Sequence, residues 1–267
     1  MNIERLRKII QYSAVYREDI ESKVNRFYSF AGISSNQEVL NILQIVRPVF
    51  QKKGFLVFEL PFADEEIGAL CYKGDAMGYI LINTSLPKVN ANFAICHEMY
   101  HVFYQKREFK SKVEFAKDCY FEHDEEFAAN LFAGMLLMPE NSFRQMYGLF
   151  KKESEENEQD TIIRLMSYYQ VPYMAVLIRC YELGLPDSNT ISEELLNVDG
   201  AFVRKRFIEL WLDASILSPS KKDDYSQMEA LVERFGKEYI QDFYLNERTL
   251  RKVMQNMRTL YLEIKGD

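Results

Sequence analysis

Phe93-Ala94-Ile95-Cys96-His97-Glu98-Met99-Tyr100-His101 is the stretch on which the reading turns. The pattern predicts a helix from about Ala91 to Tyr104, with Phe93, Ala94, Met99, Val102 and Phe103 available for core contacts. Two histidines four residues apart on a helix are offset by about 40° and a rise of about 6 Å. Both imidazoles can then reach one ion about 2.0–2.1 Å from each ligating nitrogen. Glu98 lies about 100° further round the helix, so it need not be a ligand. It can instead act as a general base toward water and later hand the proton to a leaving amine. The chain has three histidines, and a chance H-E-x-x-H is expected on the order of a few times per thousand such sequences. The motif therefore outweighs an accidental pair of histidines on a polar helix face.

A catalytic zinc takes three protein ligands and keeps one position open. The acidic cluster Glu122-His123-Asp124-Glu125-Glu126 supplies the candidates for the third. Glu126 is preferred, because Asn130 follows one helical turn later and can brace a ligand from behind. Glu122, Asp124 and Glu125 fall at or before a helix start, where the helix dipole alone favours carboxylates. His123 reads as a solvated histidine at a helix entrance, with a ligand or oxyanion role as the alternative. Cys96 points about 100° away from His97 and reads, like Cys119, as a small buried hydrophobe.

Upstream, short runs rich in β-branched and aromatic residues predict a small sheet of about three strands. They are Phe55-Leu-Val-Phe-Glu-Leu, Ile67-Gly-Ala-Leu-Cys-Tyr and Gly78-Tyr-Ile-Leu-Ile-Asn. The first fifty residues read as helix, disturbed at Pro48. Downstream, Lys106 to Lys117 reads as a charged connection, and a second helix runs from near Asp124 to Pro139 with Phe127, Leu131, Met135 and Met138 as its buried stripe. The acidic run 151–160 reads as a solvated linker or helix approach. Two short helices follow, broken at Gln170-Val-Pro172, with Gly184 as a helix cap. The fold class expected is α+β, mostly helical, in three parts: a zincin-like metallopeptidase domain over 1–148, a helix-turn-helix-like segment over 149–186, and a helical region of unassigned role over 187–267.

A chain that is 48% hydrophobic and 14% aromatic is too rich in core formers to be disordered. A net charge of −7 argues against nucleic-acid binding by bulk electrostatics. No run approaches the eighteen or so apolar residues of a membrane span, and the start lacks the apolar stretch of a signal peptide. Cys71, Cys96, Cys119 and Cys180 show no paired spacing, which suits reduced thiols in a cytoplasmic protein.

Three segments together carry a resemblance: Ile80-Leu-Ile-Asn83, Phe93 to His101, and Glu126-Phe-Ala-Ala-Asn-Leu-Phe-Ala-Gly-Met-Leu-Leu-Met-Pro139. Over roughly residues 35 to 185 the chain resembles the ImmA/IrrE family of bacterial and phage metallopeptidases. The resemblance implies one Zn²⁺ held by His97, His101 and Glu126, with Glu98 as general base. It also implies a protein substrate, a helix-turn-helix repressor of a mobile element, stress response or toxin–antitoxin-like module. The segment Ile162 to Gly184 resembles the family's winged-helix-like region, which implies DNA contact or docking. Tyr100 replaces the family's common glycine and is expected to narrow the cleft. The alternative reading is a zinc-containing regulatory module without turnover, in which Arg204-Lys-Arg206 and Arg248 to Arg258 contact DNA or a partner.

Overall fold

A computed structural model describes residues 1–34, 42–74, 78–105, 109–114, 124–186 and 191–266. In chain order the elements are α1 (Ile3–Ala31), α2 (Ile42–Lys52), β1 (Phe55–Leu60), β2 (Ile67–Lys73), β3 (Gly78–Asn83), α3 (Lys88–Tyr104), β4 (Phe109–Glu114), α4 (Asp124–Leu137), α5 (Glu140–Glu153), α6 (Glu158–Tyr169), α7 (Tyr173–Glu182), α8 (Glu193–Leu196), α9 (Gly200–Glu209), α10 (Tyr225–Gln241) and α11 (Glu247–Lys265). A 3-10 turn spans Ala214–Leu217. This is the mostly helical α+β class that the sequence predicts.

The strand order is β1-β3-β2-β4, with β1 parallel to β3 and β2 antiparallel to both β3 and β4. The three strands expected before α3 are all present. The fourth comes from the stretch read as a charged connection, a correction with a plain cause. Phe109-Lys-Ser-Lys-Val-Glu is an edge strand, and lysines are common on edges because they discourage pairing with other chains. Pro48 also does less than expected, since α2 continues through it.

Asn83, at the end of β3, shows why a strand here closes on an asparagine. It is fully buried, its Oδ1 accepts from the backbone of Phe62 and Ser85, and its Nδ2 donates to the carbonyls of Asp64 and Ile67. One carboxamide thus ties the β1–β2 loop to the β3–α3 turn, with donors and acceptors all used.

Helix α1 is about 43 Å long at 1.5 Å per residue. It buries Leu6, Ser13, Ile20 and Phe27 at seven-residue intervals, and so lies along the core with one stripe inward. Its start is capped by Asn2, whose side chain accepts from the Arg5 amide at 2.8 Å. The buried apolar cluster draws on residues from Leu6 to Ile216. Within it, α6 and α7 form the expected pair of short helices, and Gly184 (φ 62°) turns the chain after α7. The acidic run closes α5 and opens α6. There Asn157 caps α6, and buried Asp160 pairs with Arg206 of α9 instead of facing solvent.

The segment 218–224 gives the C-terminal region its place. It lies against the β3–α3 turn through Lys88 N to Ser218 O, Lys221 N to Thr84 O, and Thr84 Oγ1 to Lys222 O. It also lies against β1, where Asp224 exchanges bonds with the Glu59 backbone. Asp224 is 1% exposed and is paired with Arg47 and Lys222. This strap holds the chain where it enters α3.

Candidate metal centre

Helix α3 carries His97 and His101, and the first turn of α4 carries Glu126. The two helices are held together by aromatic packing. The Phe132 ring of α4 lies 5.8 Å from both Tyr100 and Tyr104 of α3, and 6.2 Å from Phe27 of α1. Tyr100 turns its hydroxyl to Lys23 of α1 at 3.3 Å. It packs between helices and does not narrow the cleft as expected.

The packing brings three donor atoms to one point. His97 Nε2 lies 3.1 Å from His101 Nε2 and 3.1 Å from Glu126 Oε2, and His101 Nε2 lies 3.5 Å from Glu126 Oε1. Ligands about 2.0–2.1 Å from a tetrahedral ion sit about 3.3–3.4 Å apart, so the set has the span a small divalent cation requires. Its chemistry fits as well: two imidazoles and a carboxylate gather electron pairs that a proton or cation must neutralise. Both histidines are buried, and Glu126 retains 21% side-chain exposure. Among the described residues, His97, His101 and Glu126 form a group that could hold a metal ion.

The supports behind the ligands follow helical spacing. Asn130, one turn after Glu126, places its Oδ1 2.9 Å from His97 Nδ1. With Nδ1–H donating to that oxygen, the lone pair of Nε2 faces the site. The sequence reading names Asn130 at this position. It missed Gln105, one turn after His101, which favours the protonated His101 ring and donates to Glu125 at 2.6 Å. The i, i+4 spacing that identified Asn130 would have found it.

Titration separates the two histidines. For His97, burial pulls the pKa down, but the hydrogen bond to Glu126 and the charges of Glu98 and Glu126 outweigh it and raise the value. For His101, burial and then the neighbouring His97 lower it to about 4, against the attraction of Glu126. The two neighbouring rings are thus pushed in opposite directions, His97 by the carboxylates beside it and His101 by burial and by His97.

Glu98 is fully buried on the same helix, close enough for its charge to act on His97. Glu125 is exposed and outside the cluster, as expected. Glu122, His123 and Cys119 lie outside the described residues. Cys96 is buried and free, with a thiol pKa pushed up by burial, which suits the inert hydrophobe predicted for it.

A cleft of about 600 Å³ opens beside His97 and Asn130, between α1, α3, α4, α7 and the stretch 196–200. Helix α7 is the second helix of the segment read as winged-helix-like, and none of its residues is exposed. The partly covered side of α7, Met174, Ala175 and Ile178, lines the cleft. The basic run on α9 is also engaged within the fold. Arg206 pairs with Asp160 and Glu209, Lys205 with Glu209, and Arg204 donates to the Leu217 carbonyl. Among the described residues no helix is long and apolar enough to cross a membrane.

Residues 50–181 match the family model described as the IrrE N-terminal-like domain, Peptidase_M78. A search of curated proteins finds no match.

Proposed function

Because the chain belongs, through residues 50–181, to the IrrE N-terminal-like peptidase family, we propose that it is a zinc-dependent endopeptidase that cuts one specific protein partner. The observation that carries the reading is the meeting of His97, His101 and Glu126 within hydrogen-bond range of one another, with Glu98 buried beside His97. Zinc, when bound, supplies a Lewis acid that polarises a peptide carbonyl and brings the pKa of water toward about 7.

The chain's own residues do the rest. His97 and His101 each offer Nε2, and Glu126 offers its carboxylate. Asn130 fixes the tautomer of His97 by accepting from Nδ1. Glu98 takes a proton from water on its carboxylate oxygen and delivers it to the departing amine nitrogen. Burial of His97, Glu98 and His101 limits competing solvent, which strengthens their electrostatic contacts.

The proposed substrate is a helix-turn-helix repressor of a mobile element, stress response or toxin–antitoxin-like module, in the cytoplasm. The net charge of −7, the covered face of α7 and the engaged arginines of α9 support a protein partner over DNA. Cys96 and Cys180, both buried and free, suit a reducing compartment.

The test is incubation of zinc-loaded protein with the helix-turn-helix protein encoded beside it. A single defined cut by the unaltered chain is expected, and Glu98→Gln should bind zinc normally while losing cleavage. Cleavage undiminished in Glu98→Gln would end the reading.

A further inference from the structure

Gly134 sits in the middle of α4, where glycine costs about 1 kcal/mol relative to alanine. Helix interiors usually spend a glycine to let a neighbour approach closely. Here a Cβ built on Gly134 meets no heavy atom within 4 Å. The space beyond it is the cleft that also touches His97 and Asn130. Gly200, also in the lining, likewise has no heavy atom within 4 Å of an added Cβ. The missing side chains thus leave room in the cleft and relieve no contact.

The walls around that room are apolar: Ile9 and Tyr12 of α1, Phe93 of α3, Phe127 and Leu131 of α4, and Ile178 of α7. Its charged side chains balance in number. Arg179 and Glu182 pair at 3.1 Å, with side chains only 4% and 5% exposed. Arg179 also donates to the Met138 carbonyl, and Asp199 caps α9 through the Phe202 amide. With Arg5, the lining side chains hold two cations and two anions, beside the α-amino group of Met1. A charged guest would be desolvated there without a net field of opposite sign to compensate. A neutral apolar side chain loses nothing and gains contact.

We propose that this cleft is the specificity pocket of the enzyme, and that it takes a large aliphatic or aromatic side chain of the substrate next to the bond that is cut. The assignment rests on the peptidase reading for the word substrate. It rests on the cleft's own geometry for the chemistry of what binds. Of the metal ligands His97 lines the cleft, together with the Asn130 that braces it, so the guest lies against His97 and α7 becomes a wall of the recognition site.

The experiment uses the full-length, zinc-loaded chain and three small probes: N-acetyl-leucinamide, N-acetyl-phenylalaninamide and the N-acetyl amide of aspartate. Saturation-transfer NMR measures their binding to the unaltered protein and to Gly134→Leu, whose side chain would project into the cleft. The leucine and phenylalanine amides should bind saturably, bind roughly tenfold more weakly to Gly134→Leu, and outcompete the aspartate probe. Zinc content and melting of the variant report that it is folded. Gly134→Ala, which adds one methyl to open space and improves helix propensity, should weaken binding partway without loss of stability.

Equal binding to unaltered protein and both variants, or no preference for the apolar amides, overturns the proposal. Cleavage is a separate readout. A protein that binds these amides as described but cuts no partner ends the peptidase reading and leaves the pocket. One that cuts its partner yet shows no apolar preference ends the pocket and leaves the peptidase.

Discussion

Asn130→Ala tests whether the arrangement behind the ligands matters as much as the ligands. The substitution removes the Oδ1 that lies 2.9 Å from His97 Nδ1. His97 is 1% exposed, so solvent cannot readily replace the lost acceptor, and an unsatisfied buried donor costs about 1–3 kcal/mol. The cost falls mainly on the metal-bound state. There Nε2 is committed to the ion and Nδ1 must carry the proton. Without metal the ring can change tautomer or lean on Glu126, which already hydrogen-bonds it. The difference should weaken zinc binding about tenfold to a hundredfold, roughly 1.4–2.7 kcal/mol. Competition against a chromophoric chelator at fixed pH measures it directly. Asn130→Asp keeps the acceptor and should bind zinc at least as tightly as the unaltered chain. An Asn130→Ala affinity within about twofold of the unaltered protein would refute the reasoning.

Three further outcomes follow from the same structure. Free zinc at about a thousand times its dissociation constant should stabilise the fold by about 4 kcal/mol, seen as a melting rise of several degrees that EDTA reverses; His101→Ala should show no such rise. Asp224→Ala removes the anion shared by Arg47, Lys222 and the Glu59 amide. Lys222 is nearly half exposed, so the loss should fall somewhat below the ~3–5 kcal/mol of a fully buried pair, at about 2–3 kcal/mol by urea unfolding. Phe132→Ala empties the ring position between Phe27, Tyr100 and Tyr104 and should cost about 3–5 kcal/mol in the same assay, with zinc affinity reduced because α3 and α4 lose their shared packing.

The parts of the site that follow a helical period could be seen in the sequence. His97 and His101 are i and i+4 on one helix, as are Glu126 and Asn130 on the next, and the structure joins the two pairs. Gln105 obeys the same spacing and was overlooked because a glutamine carries no chemistry by itself. The three strands before α3 were legible from β-branched and aromatic runs. Strand β4 was hidden because an edge strand shields itself with the lysines that make it look like a loop. The strap at 218–224 was illegible for another reason. Its bonds to Thr84, Lys88 and Glu59 join residues 130 or more positions apart, and most are backbone bonds that any side chain permits. The two short helices α6 and α7 were legible from the break at Gln170-Val-Pro172, but the packing of α7 against the cleft depends on distant residues that the local pattern does not name. The pairing of Arg206 with Asp160 and Glu209 was illegible for the same reason as the strap, since it depends on which acids the fold brings near.

The central claim is that one divalent ion is held by His97, His101 and Glu126 with a position left open. Crystals of the zinc-loaded chain measured above and below the zinc absorption edge test it most directly. The account predicts one anomalous peak per chain, about 2.0–2.2 Å from His97 Nε2, His101 Nε2 and a Glu126 carboxylate oxygen. A peak coordinated by other side chains, or its persistence at full strength in His97→Ala, would contradict it.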